Sequence, residues 1–303
     1  MSTALPRPLR FGLAGTGYWA STVHAPALAS CPGIELSAVW GRDPVAAAAL
    51  AGRHGATAHE DFGAFLADVD AVSFAIPPDV QAGLAVRAAE AGRHLVLEKP
   101  LATSDAPAQA VAAAAARARV ATVVFFTAQF QADVRAWIAA ARGRGWSGGS
   151  AVWLGTSLRQ DSPFNTPWRR EKGGLWDLGP HLVSLLWASL GPVTSVTADG
   201  GPGDVTYLIL HHEGGPSSVV TVSQGAGPES AITEVCLWGR DGRSVAPPYA
   251  ADPREPLRVA LAELAAAARS GGHRHECDAG FAVAVGRVLS QAQQQVQARG
   301  RAG

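Results

Sequence analysis

At 303 residues, with 48% hydrophobic and 17% charged side chains, the chain has material for two ordinary cores and is too apolar for a disordered polymer. Lys plus Arg and Asp plus Glu stand at 25 each, which removes any electrostatic reason to expect nucleic acid or an anionic membrane as partner. Three scattered cysteines, Cys31, Cys236 and Cys277, argue against a disulfide framework or a zinc site; they read as reduced thiols of a cytoplasmic protein with no bound metal.

The chain opens with a short apolar strand in LRFGLAGTGYWAS, followed by Gly15-Thr16-Gly17-Tyr18-Trp19-Ala20. That run fits the G-x-G-x-x-G/A pattern at the start of a helix. The first glycine permits a tight turn, the second lets a pyrophosphate approach the backbone, and the small third residue lets helix and strand pack closely. Pro26 is expected to end or kink this helix after about two turns. A second strand, Ile34 to Trp40, leads to a helix in DPVAAAALAGRHG with Asp43 at its start and Gly55 past its end. DAVSFAIPP is a third strand, DVQAGLAVRAAEAGR a third helix and HLVLEKP a fourth strand, with SDAPAQAVAAAAARAR and VATVVFFT adding a helix and a strand. Strands and helices alternating at this spacing build a parallel doubly wound sheet, and a glycine fingerprint after its first strand marks a dinucleotide site.

The end of the second strand carries cofactor choice. An NAD site usually places Asp or Glu there for the ribose 2'-hydroxyl. This chain has Trp40-Gly41-Arg42-Asp43, so Gly41 removes the acid and Arg42 offers a guanidinium for a 2'-phosphate. NADP is the expected cofactor, with NAD second.

From about residue 124 the pattern changes. One helix, AQFQADVRAWIAAARGR, leads to a strand around SAVWLGTSL, a loop rich in Trp, Arg and Pro, and then GGLWDLGPHLVSLLWASLG. VTSVTAD, VTYLILHHE, SSVVTVSQ and AITEVCLWG follow as strands joined by turns, and two helices close the chain. The expected organisation is a dinucleotide-binding domain over 1–123 and an α+β domain over 124–303, built on an open, mostly antiparallel sheet.

GLAGTGYWA, PPDVQAGLAVRAAEAGRHLVLEKPLA and GGLWDLGPHLVSLLWASLG, in this order, resemble the Gfo/Idh/MocA oxidoreductases, the glucose–fructose oxidoreductase and inositol dehydrogenase family. The resemblance implies an N-terminal Rossmann domain, a C-terminal open-sheet domain, a nicotinamide in the cleft between them, and a homodimer or homotetramer. It places Lys99 and Pro100 on the family's Glu-Lys-Pro motif, with a cis bond between them. Asp177 and His181 fall on its active-site pair. Gly15, Thr16, Gly17, Tyr18, Trp19, Gly41, Arg42, Pro77, Glu98 and Lys99 fall on the cofactor-binding positions.

The chemistry agrees with these assignments. A lysine at the carboxyl end of a parallel strand sits where doubly wound sheets bind ligands, and it can hydrogen-bond an alcohol or carbonyl oxygen. Asp177 and His181 are four apart, which predicts one face of one helix with Pro180 in its first turn. The expected function is hydride transfer to or from a secondary alcohol, carbonyl or imine carbon of a small molecule. Lys99 and His181 would handle the proton and Asp177 would orient or polarise. The other reading is a non-catalytic NADP-binding sensor or partner protein on the same fold.

Some positions depart from the family pattern. Ser184 stands where members often carry Asp, Gln81 where many carry His, and Ala128-Gln129 where many carry Asn or Tyr followed by Arg. These losses weaken the case for a polyhydroxylated sugar. Trp146, Trp153, Phe164, Trp168, Trp176 and Trp187 gather in this half; most are assigned to the core, and any that line the site favour a flatter substrate. Arg169 and Arg170 read equally as contacts for an anion or as solvated loop residues.

Overall fold

The computed structural model describes residues 7–240 and 242–300. They form two compact units, one holding residues through Ala102, Ala106–Phe130 and Ala251–Val283, the other Thr103–Asp105, Gln131–Ala250 and the chain from Ala284 on.

In the first unit the elements run β1 (Leu9–Ala14), α1 (Ala25–Ser30), β2 (Ile34–Trp40), α2 (Pro44–His54), β3 (Thr57–His59), α3 (Phe62–Ala67), β4 (Ala71–Phe74), α4 (Pro78–Glu90), β5 (His94–Leu97), α5 (Asp105–Ala118) and β6 (Thr122–Val124). The six strands are all parallel, in the order β3-β2-β1-β4-β5-β6. This is the doubly wound order, whose reversal between β1 and β4 opens a ligand crevice at the strands' carboxyl ends. Every residue of β4 and β6 is buried, as are the last three of β5, which is why these segments are continuous apolar runs. Asp43 caps α2 by accepting from the Val45 and Ala46 amides, and Gly55 closes it at φ 68°.

Two sequence expectations change here. Pro26 does not end its helix. A π turn over Ala20–His24 precedes it, with the Ala25 N–H bonded to the Ala20 carbonyl, and Pro26 falls in the first turn of α1, where a missing N–H costs nothing. Between α2 and β4, where no element was read, the chain forms the edge strand β3 and the Asp61-capped helix α3. Neither is long enough to display a period.

The second unit contains α6 (Ala132–Ala141), β7 (Trp146–Leu154), α7 (Pro167–Asp177), α8 (Gly179–Leu190), β8 (Val193–Gly200), β9 (Thr206–His212), β10 (Ser217–Ser223), β11 (Ile232–Gly239) and β12 (Gly242–Val245). The single helix expected from Ala128 is instead a 3-10 turn, Thr127–Phe130, followed by α6. The sheet runs β12-β11-β7-β10-β9-β8, parallel only between β7 and β10. Along β9, Thr206, Leu208, Leu210 and His212 turn inward, and α8 covers that face with Leu182, Leu185 and Leu186. α9 (Arg254–Ser270) belongs to the first unit, where it packs on α1 and β5, and α10 (Ala279–Gly300) ends the described chain.

Candidate active site

The loop after β1 is shaped by what it touches. Gly15 has φ 135°, and a Cβ on it would lie 2.4 Å from the Ala75 carbonyl oxygen at the end of β4. No side chain fits there. A Cβ on Gly17 would meet nothing within 4 Å, so the loop faces open space at the start of the helical stretch that begins at Tyr18. Amides at a helix start beside a bare glycine backbone are the fittings a pyrophosphate needs. Gly41 is buried beside this loop, and a Cβ on it would stand 2.6 Å from the Thr16 methyl. Any side chain at position 41 would therefore need the Thr16 methyl to move. Arg42 is exposed beside it, Tyr18 is exposed, and Pro77 is exposed at the start of α4. Gly15, Thr16, Gly17, Tyr18 and Trp19 would hold the pyrophosphate side of a dinucleotide, with Gly41 and Arg42 at its ribose.

Lys99 follows β5 and is half-buried, with a cis bond to Pro100. The loop around it is tied down twice. Gln81, wholly buried on α4, accepts from the Glu98 N–H at 2.8 Å and donates to the Glu98 carbonyl at 2.8 Å. The Glu98 carboxylate accepts from Trp19 Nε1 at 2.7 Å and His24 Nε2 at 3.0 Å on Oε1, and from the Lys99 N–H at 3.2 Å on Oε2. Glu98, Trp19 and Lys99 thus form one network, to which His24 and Gln81 were not assigned from the sequence. Lysine occurs in this chain only at 99 and 172.

Asp177 and His181 belong to the second unit. They do not share one helix: Asp177 ends α7, Leu178 is the junction, and His181 lies in the first turn of α8. Gly179-Pro180 breaks the ladder because proline offers no N–H, and the chain restarts a helix there. Asp177 is buried. Its Oδ2 accepts from Arg169 Nε at 2.8 Å and also, closely, from Gln224 Nε2. Arg169 is sandwiched over the rings of Trp168 and Phe164, at 4.7 and 5.4 Å. Arg169 is thus an internal partner of Asp177, while Arg170 bonds Asn165. His181 is buried against Trp153, ring centroids 5.4 Å apart, with Tyr249 edge-on at 6.0 Å. The Tyr249 hydroxyl is buried with no hydrogen-bond partner, and burial pushes its pKa up, so it keeps its proton. Trp146 and Trp176 pack in the core, Trp153 packs on His181, and Phe164 and Trp168 pack on Arg169. Among the described residues no group of His, Cys, Asp and Glu is arranged to hold a metal.

Residues 9–126 match the model of the oxidoreductase family with an NAD-binding Rossmann fold, and residues 147–244 match the GFO/IDH/MocA C-terminal domain. The chain belongs to the Gfo/Idh/MocA oxidoreductase family. YdgJ, an uncharacterized oxidoreductase of Escherichia coli K12, is 28% identical over 203 residues, covering 63% of this chain and 56% of YdgJ. Inositol 2-dehydrogenase of Rhizobium meliloti is 39% identical over 94 residues, covering 31% of this chain and 28% of that enzyme. These matches thus span about half of the first relative's length and under a third of the second's. The fold matches GenD2 from gentamicin A biosynthesis, solved with NAD, at TM-score 0.84 and 22% identity over 98% of this chain and 96% of GenD2.

The departures from the Gfo/Idh/MocA pattern have structural occupations. Gln81 binds the main chain of Glu98, as described, and also reaches the Pro100 and Leu101 carbonyls beyond Lys99. Ser184 is buried, its hydroxyl donating to the His181 carbonyl. Gln129 is buried and accepts from Cys277 Sγ.

Proposed function

We propose that this family member is an NADP-dependent oxidoreductase moving hydride to or from a secondary alcohol, ketone or imine carbon of a small molecule. The observation that carries the reading is Lys99: a rare lysine at the carboxyl end of a buried parallel strand, its loop fixed by both Gln81 and Glu98. Such a position serves the ligand crevice of a doubly wound sheet.

The dinucleotide, when bound, supplies or accepts the hydride; the chain's residues do the rest. Gly15 to Trp19 hold the phosphates, and Arg42 meets the ribose 2'-phosphate. Lys99 donates to the substrate oxygen, delivering a proton to it in reduction and receiving one in oxidation. His181, in the second unit, is the further proton-handling group, and Asp177, engaged by Arg169 and Gln224, serves as an orienting acceptor. Trp153 offers a flat apolar wall and Tyr249 a protonated hydroxyl, which suits a ring with one oxygenated edge. Sugar and cyclitol derivatives fit that description first, and aromatic or secondary-metabolite carbonyls second. A homo-oligomer in the cytoplasm is the setting that the outward face of the second sheet and three buried free thiols support.

A non-catalytic NADP-binding sensor is the second reading. It is favoured by Gln81 and Ser184, which take main-chain partners at positions where family enzymes often carry His and Asp. A panel of sugar, cyclitol and aromatic carbonyls, assayed for substrate-dependent loss of NADPH absorbance, separates the two. The catalytic reading expects turnover with at least one compound, and Lys99→Met that binds NADPH but turns over about 10²–10⁴-fold more slowly. Tight NADPH binding with no turnover across the panel gives the sensor.

A further inference from the structure

We propose that His24 is a positioning residue for Lys99, acting through the carboxylate of Glu98; this rests on the reading of Lys99 as the proton-handling lysine.

His24 is wholly buried at the end of the π turn that follows the glycine loop. Its Nε2 lies 3.0 Å from Glu98 Oε1 and its Nδ1 2.8 Å from the hydroxyl of Ser73 on β4. A carboxylate interacting with this ring only accepts, so Nε2 carries a hydrogen and donates. The ring stands edge-on to Phe125, 6.5 Å between centroids and 88° between planes. Three elements therefore hold this imidazole in one orientation.

Its effect is on the geometry of Glu98. Trp19 Nε1 donates to the same Oε1, so two donors from one helical stretch converge on one carboxylate oxygen. That fixes the carboxylate plane and leaves Oε2 to accept from the Lys99 N–H at 3.2 Å. Gln81 fixes the main chain of Glu98 from the other side. Trp19 is only half-buried, and by itself it would let the carboxylate swing about that single bond. A fully buried imidazole is an expensive way to fill space, since Leu or Phe would fill it without desolvating two ring nitrogens. π turns recur at functional sites, and here the turn delivers His24 inward beside the lysine loop. The glycine loop and the catalytic lysine are thereby joined through two side chains.

Three substitutions separate positioning from packing. His24→Gln can place an amide N–H where Nε2 stood and keep the Glu98 bond. His24→Asn reaches only the Nδ1 position and keeps Ser73. His24→Phe keeps the volume alone. Hydrogen exchange of the Lys99 amide, read by fragmentation mass spectrometry on the full-length protein, needs no substrate. Asn and Phe should speed that exchange roughly 2- to 10-fold, the worth of one net hydrogen bond, while Gln leaves it near wild type. On any compound the wild type reduces, Asn and Phe should lower kcat by about 10- to 100-fold with KM unchanged, and Gln should restore it. Equal exchange in wild type and all three variants, or equal acceleration in all three, overturns the proposal, as does altered exchange with wild-type kcat. If the wild type turns over nothing, the catalytic reading fails, and the exchange pattern still decides whether His24 holds the lysine loop. If the Phe variant does not fold, the Gln and Asn pair carries the comparison.

Discussion

Arg169 Nε lies 2.8 Å from Asp177 Oδ2, with the two side chains only 18% and 5% exposed. The arginine also packs on the rings of Trp168 and Phe164, which adds to its enclosure. Removing the arginine from so enclosed a pair costs Asp177 a charge-assisted hydrogen bond that solvent is poorly placed to replace. Arg169→Met should destabilise the second unit by about 2 kcal/mol, at the low side for a buried pair because the guanidinium keeps some solvent contact. Arg169→Lys should recover little, since an ammonium can neither stack nor reproduce the Nε geometry. Adding Asp177→Asn to Arg169→Met should return part of the loss. Urea unfolding followed by circular dichroism reads all three; an Arg169→Met midpoint equal to wild type would show that the pair contributes nothing.

The Rossmann half was legible because its signals are local. Gly15, Gly17, Asp43 and Gly55 each act within a few residues, and strand–helix alternation is visible in any short window. The support of Lys99 was not legible in the same way. His24 and Gln81 reach Glu98 from two elements, Ser73 holds His24 from a third, and nothing in their spacing announces that they converge. The Asp177–His181 interval of four read as one helical turn, whereas Gly173 at φ 63° and Pro180 cut the segment into separate helices. Arg169 read equally as an anion contact or a solvated loop residue because its partner, eight residues away, lies past that kink. The missing acid at position 41 was plain, but the Thr16 methyl that a side chain there would meet appears only in three dimensions.

Two histidines should make stability fall on the acid side. His94 Nδ1 accepts from the Ala121 N–H at 3.0 Å, so that nitrogen must be bare, and burial lowers the pKa against the opposing pull of Asp70. His212 is held between the Gly191 carbonyl and the Ser218 hydroxyl, each at 2.8 Å, and burial is again the main cause of a lowered pKa. With folded values below the ordinary ~6.5, both rings are neutral in folded and unfolded chains above that pH, and their contribution is complete there. As pH falls, the unfolded chain takes up protons first, and stability declines by at most about 1.4 kcal/mol per pH unit for each histidine. Urea midpoints at about pH 7.5 and pH 5.5 should therefore differ. His212→Asn should shrink the difference; an unchanged difference in that variant would remove His212 as a cause.

The outward face of the second sheet should be an interface between copies of the chain. Tyr207 and Ile209 on β9 and Val219 on β10 are exposed, and Val219 stands directly across from Ile209 in the ladder. Alternation with buried Leu208, Leu210 and Val220 makes these three the outward set. An apolar patch on a sheet face is unfavourable in water and is relieved by self-association. Light scattering at micromolar concentration should give a dimer or tetramer, and Ile209→Glu with Val219→Glu should give a monomer with unchanged circular dichroism. A wild-type monomer would sink the idea.

Cofactor choice should turn on Arg42 and on Gly41, where any side chain would press on the Thr16 methyl. Arg42 is exposed beside Gly41 and free to meet a 2'-phosphate, while Asp43 is occupied as the α2 cap. A charge-assisted hydrogen bond is worth about 1.5–3 kcal/mol, so Arg42→Ala should weaken NADPH roughly 10- to 150-fold and leave NADH nearly unchanged. Converting the site to NADH needs more than a carboxylate. In Gly41→Asp the new Cβ would stand 2.6 Å from the Thr16 Cγ2, so that variant alone should distort the glycine loop and weaken both cofactors. With Thr16→Ala the nearest remaining atom is Cβ at 3.5 Å, an ordinary contact, and the double variant should prefer NADH. Fluorescence titration with both reduced cofactors reads every step. Equal wild-type affinities would reduce Arg42 to a surface residue, and a Gly41→Asp variant that bound NADH well without the Thr16 change would show that the methyl group is no obstacle.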